Sequence, residues 1–97
     1  MSAYMVIDIH PTDAEAMAEY AAGALPILER FGGRVVAFDP RPVPLEGEWS
    51  PTQVIIVEFA DKDAVRAYLD SSDYRPWKAI RQSASLGRSV AVDGVPA

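Results

Sequence analysis

Cysteine is absent and histidine occurs once, at His10. The first absence excludes disulfides, thiolate nucleophiles and cysteine-held metal or iron–sulfur centres. The second leaves only carboxylates as further metal ligands. No HxH, HxxE or EF-hand spacing arranges them, so no metal is expected. Heme has no good ligand beyond His10, and the expectation is a protein without a cofactor. Basic residues are the minority, nine Lys and Arg against fourteen Asp and Glu, giving a formal charge of −5. That is the wrong sign for nucleic acid or an anionic membrane as main partner. No apolar run is long enough to cross a bilayer, and the N-terminal MSAYMVIDIH lacks the basic region of a signal peptide, so a cytoplasmic protein is expected. GxGxxG, Walker and GxSxG patterns are missing too. Gly32-Gly33-Arg34 superficially suggests a phosphate loop, but glycines between a helix and a strand are ordinary punctuation.

What is present is an ordinary globular composition in 97 residues, enough for a single domain over 1–97. A chain this short buries only about 60–65% of its unfolded surface, so a partner subunit would help it. Residues 3–10 alternate: Met5, Ile7 and Ile9 share one face, Tyr4, Val6, Asp8 and His10 the other. Thr12 stands three residues before Glu15, a capping-box spacing that predicts a helix start. That helix carries an apolar stripe of Met17, Tyr20, Ala21, Ala24, Leu25, Leu28 and Phe31, with a kink expected at Pro26 and an end at Gly32-Gly33. Strands are predicted at 34–38 and 53–60, separated by a fourteen-residue connection holding four of the eight prolines. Asp61 should cap a short helix through Leu69. Ser71-Ser72-Asp73 should cap another reaching about Ser85. Gly87 should break it before a last strand over 88–93.

The order β-α-β-β-α(α)-β with right-handed crossovers predicts an α+β, ferredoxin-like fold: four antiparallel strands in order 4-1-3-2, helices on one face. The helices should take Met5, Ile7, Ile9, Ile55, Val57 and Phe59. The opposite face then carries Tyr4, Val6, Val36, Phe38, Val54, Ile56, Val90 and Val92. It is too apolar to leave in water, and a homodimer closed through this face is expected.

Several stretches in this order and spacing are similar to one family. They are DAEAMAEY (Asp13–Tyr20), ERFGGR (Glu29–Arg34), LEGEW (Leu45–Trp49), VIIVEF (Val54–Phe59), SSDYRPWKAIRQSA (Ser71–Ala84) and VAVDG (Val90–Gly94). Over nearly its full length the chain resembles the small bacterial proteins grouped as domain of unknown function 1330, within the dimeric α/β-barrel superfamily. It departs from the family pattern at Met17, at Tyr68-Leu69 and at Asp39-Pro40. The resemblance implies the fold and its dimerisation as an α/β barrel. It implies no particular activity, because wider relatives range from cofactor-free monooxygenases to isomerases and heme-degrading enzymes.

Seven residues are candidates for chemistry, each with a plainer structural alternative. Asp8 and His10 share a strand face, where a carboxylate would tune an imidazole acid–base group; the alternative for His10 is a solvated strand end. Glu58 interrupts an apolar strand and needs a cation, with Arg34 one strand away; the pair is either a structural ion pair or a cavity base with its partner. Tyr74 and Arg81 lie seven apart on one helix face, beside Trp77 and Lys78, where Arg81 would clamp a carboxylate or phenolate, or else pair with an acidic neighbour. Trp49 is a lid or a packing residue. The catalytic candidates are therefore Glu58, His10 and Asp8, and the ligand-binding candidates Arg34, Tyr74, Arg81 and Trp49. Two functions follow. One is a cofactor-free pocket that binds or transforms a small, partly aromatic molecule. The other is a non-catalytic homodimeric binding or assembly module.

Overall fold

The computed structural model describes residues 1–96. Its elements are β1 (Ala3–Pro11), α1 (Ala14–Arg30), β2 (Arg34–Asp39), β3 (Gln53–Phe59), α2 (Lys62–Asp70), α3 (Arg75–Ala84) and β4 (Ser85–Asp93). The strands form one antiparallel sheet in the order β2-β3-β1-β4, the order expected from the sequence, and the fold is ferredoxin-like α+β. Strand alternation sorts the two faces as expected. Met5, Ile9, Val57 and Phe59 are buried under the helices with Ala24, Ile27, Leu28, Val65, Tyr68 and Tyr74. Full burial of each larger side chain contributes about 1.5–3 kcal/mol.

The start of α1 differs from the sequence reading in chemistry. Asp13, not Thr12, caps α1, its carboxylate accepting from the Ala16 amide at 3.1 Å. The Thr12 and Asp13 amides are instead taken by the Ala84 carbonyl, at 2.8 and 3.1 Å. At the other end the amides of Gly32 and Gly33 bond the carbonyls of Glu29 and Leu28, a Schellman closure that needs the φ of +82° only Gly32 supplies cheaply. α3 starts at Arg75 behind Tyr74, whose amide donates to the Ser71 hydroxyl.

Two expectations about strands are corrected. β4 begins at Ser85, three residues early, and Gly87 lies inside it opposite Ile9. A Cβ there would stand 3.0 Å from the Asp8 carbonyl oxygen, so this glycine permits close backbone approach and breaks nothing. In β2 the register shifts between Val35 and Ala37, so Ala37 pairs with Ile56 and Phe38 with Ile55. This bulge turns Phe38 from the open face, where simple alternation puts it, to the helix side. Within α1, Ile27 is buried and Leu25 is 47% exposed, the reverse of their ranking in the expected stripe.

Candidate functional site

α1 packs chiefly on α3, whereas α2 lies on β1, β3 and β4. Sheet beneath α1 toward the β2 edge is left without a tight cover. The result is a cavity of about 410 Å³ between α1 and the sheet, of ordinary ligand-site size. Its floor is Met5, Ile7, Ile55 and Val57, and its roof is the Ala21, Ala24, Leu25 and Leu28 side of α1. Its mouth is apolar and open: Leu25, Val35 and Phe38 are 47%, 43% and 58% exposed. Phe38 reaches this mouth only because of the bulge.

Polar groups gather at one wall. The Tyr20 and Tyr74 hydroxyls are 2.6 Å apart, and Arg81 Nε donates to the Tyr74 oxygen at 3.0 Å. Tyr68 stacks on Tyr74 with ring centroids 4.4 Å apart, and Tyr20 meets Tyr74 edge-on. Three of the four tyrosines of the chain therefore meet in one cluster. Tyr74, Lys78 and Arg81 reach the wall from one stripe of α3, at spacings of four and three. Ser85 steadies the end of that helix, its hydroxyl donating to the Arg81 carbonyl at 2.6 Å. Burial, reinforced by the neighbouring Tyr74, pushes the Tyr20 phenol far above its ordinary range, and Tyr68 rises for the same reasons. Both hydroxyls are proton-bearing donors at neutral pH.

The structure separates the seven sequence candidates into two groups. Tyr74 and Arg81 line the cavity. Asp8, His10, Arg34, Trp49 and Glu58 occupy the other side of the sheet. There Glu58 pairs with Arg34 at 2.7 Å and accepts from the Tyr4 hydroxyl at 3.1 Å. The Arg34 hydrogen bond holds the Glu58 carboxyl below the usual carboxylate range, helped by Ser2 and Tyr4. Asp8 accepts from the Trp49 indole at 2.9 Å and from Arg88 at 3.2 Å, so the long connection folds its tryptophan over the open face. Exposed His10 bonds Thr52 through Nδ1 at 2.8 Å. Asp8 and His10 thus have separate partners. Among the described residues no group of three or more His, Asp or Glu is placed to hold a metal ion.

Tyr20, Tyr68 and Phe38 belong to the cavity and were not candidates. Tyr20 and Tyr68 read as core by their helical spacing. The available signal was chemical, because a phenol at a core position must find a partner for its hydroxyl. Phe38 carried no signal, since nothing in RVVAFD marks the bulge.

Sheet order, one-sided helices and an intervening cavity define a ferredoxin-like α+β protein with a ligand-sized interior. Residues 2–95 match the domain of unknown function DUF1330, and the chain belongs to that family. It is similar to a protein of unknown function from Rhodopseudomonas palustris, at 23% identity and a TM-score of 0.84 over 99% of this chain and 84% of that one. It is also similar to SnoaB, a cofactor-independent oxygenase from Streptomyces nogalater, at 16% identity and a TM-score of 0.64 over 99% and 93% of the two chains. A dimeric ferredoxin-like protein of unknown function from Jannaschia sp. CCS1 matches at 15% identity and a TM-score of 0.66, over 97% and 100%. No curated protein matches the chain. Among the described residues no helix is long and apolar enough to cross a membrane.

Proposed function

We propose that the chain binds or transforms a small, partly aromatic organic molecule in the cavity between α1 and the sheet, using its own side chains and no metal or prosthetic group. The observation that carries this is the division of that cavity into a long apolar floor and one polar wall, which core packing alone does not require. The fold is shared with a protein described as a cofactor-independent oxygenase, which supports a cofactor-free pocket in this scaffold. The working unit in this reading is a homodimer. The open sheet face has an apolar band of Ala37, Ile56, Val6 and Val90 lying in register across all four strands. Mainly polar rows flank the band, Arg34, Glu58, Tyr4 and Val92 on one side and Asp39, Val54, Asp8 and Arg88 on the other. That is the core-and-rim pattern of a protein–protein interface. Asp8, His10, Glu58, Arg34 and Trp49 then serve the seam, and Tyr20, Tyr74 and Arg81 serve the ligand.

A thermal-shift screen of bicyclic and tricyclic aromatic compounds tests the pocket. A true ligand at one hundred times its Kd adds about 2.7 kcal/mol. Ala21→Trp, at an exposed helix position lining the cavity, should fill the space and abolish the shift while the protein stays folded. Equal shifts in both proteins would place the binding elsewhere. No shift with any compound would favour a non-catalytic dimeric module.

A further inference from the structure

The chain carries a net charge of −5, yet among the described residues no carboxylate lines this cavity. Its charged lining groups are Lys78 and Arg81, both half-buried, and neither makes an ion pair among the described residues. The ten residues of α3 hold three of the nine basic side chains and no acid. Acids do stand nearby: Asp63 and Asp70 face a neighbouring cleft of about 500 Å³ that shares Lys78 with the cavity, but they are not on the cavity wall.

The hydrogen-bond count has the same polarity. A guanidinium only donates, so Arg81 uses an acceptor site on the Tyr74 oxygen. The hydroxyls of Tyr20, Tyr68 and Tyr74 share their hydrogens within the cluster, so the donors left for a third party are the remaining N–H groups of Arg81 and the ammonium of Lys78. This wall is a surplus of donors and positive charge beside an apolar slot.

We propose, resting on the pocket reading above, that the occupant is an apolar organic acid bound as its anion. Its carboxylate meets Arg81 and Lys78, and its hydrocarbon body lies between α1 and the floor of Met5, Ile7, Ile55 and Val57. A neutral molecule of equal shape would leave the two cations half-desolvated without a counter-charge.

The probes are 2-naphthoate and its neutral isostere 2-naphthamide, titrated calorimetrically into the full chain at neutral pH. The expected result is binding of the acid about tenfold or more tightly than the amide. Arg81→Gln should erase most of that preference, and Lys78→Met should reduce it independently should the Arg81 variant fail to fold. Equal affinity for acid and amide would overturn the anion assignment and leave the pocket reading standing. A preference that survives both substitutions would also overturn it. Binding of neither probe, nor of longer-chain fatty carboxylates titrated in the same way, would overturn both.

Discussion

Gly23 lies in the interior of α1, where glycine is normally unfavourable by about 0.8–1.0 kcal/mol relative to alanine. Its place is explained by Trp77 of α3. A Cβ built on Gly23 falls within contact distance of three indole carbons, with Cζ3 at 2.5 Å. Carbon atoms pack at about 3.5–4.0 Å, so Gly23→Ala requires the ring or the whole of α3 to retreat by about 1 Å or more. Overpacking of this kind costs about 1–3 kcal/mol. Trp77 is half-buried and able to yield in part, which favours the lower half of that range. Set against the helix-propensity gain, the substitution should be neutral to destabilising by about 1 kcal/mol. The decisive comparison is the background. In a Trp77→Leu chain the obstruction is gone, and Gly23→Ala should then stabilise by the full propensity term, about 0.8–1.0 kcal/mol. Urea denaturation at one fixed protein concentration, run on all four members of the cycle, reads both signs. Gly23→Ala stabilising the wild-type chain as much as the Trp77→Leu chain would refute the close α1–α3 approach. That approach is also what sets Tyr74 and Arg81 against Tyr20.

Two further outcomes follow from the open sheet face. Because the Glu58 carboxyl titrates lower in the folded chain than unfolded, its contribution is present above its unfolded pKa and disappears as pH falls through the folded value. Glu58→Gln should flatten that part of the acid limb in a pH series of thermal melts, and an unchanged limb would show that the Arg34 bond confers no protection. Val90 is 61% exposed at the β4 end of the apolar band, so Val90→Asp should convert a dimeric mass in light scattering to a monomeric one at micromolar concentration. A wild-type monomer would remove the seam altogether.

The fold was legible where periodicity is strict. Met5, Ile7 and Ile9 against Tyr4, Val6 and Asp8 assign the faces of β1, and Ile55, Val57 and Phe59 do so for β3. The Gly32-Gly33 helix end is equally local. Legibility failed where a neighbouring element decides. Gly87 resembles a break until β1 is placed beside it, and Phe38 follows alternation until the bulge is known. Thr12 and Asp13 are both competent caps, and the choice is made by the Ala84 carbonyl, more than seventy residues away in sequence. In the candidate site, Tyr74 and Arg81 share a helix face by spacing alone. The cavity itself arises from how far α1 stands off the sheet, a distance that no single side chain encodes. A stripe containing Tyr20 therefore reads as core, although its hydroxyl is tied to the wall of a hollow.

The irregularity in β2 joins two surfaces that would otherwise be independent. One residue more than its partner strand places Phe38 at the cavity mouth and leaves Ala37, its immediate neighbour, in the outer apolar band. Both positions ride on the same edge strand, so displacement of that strand from within is felt outside. Where occupancy of the hollow shifts β2, linkage requires the effect to be mutual: ligand alters the association constant of the chains by the factor by which association alters ligand affinity. Apparent affinity would then depend on protein concentration, and equal affinities in dilute and concentrated protein would show that the two equilibria are independent.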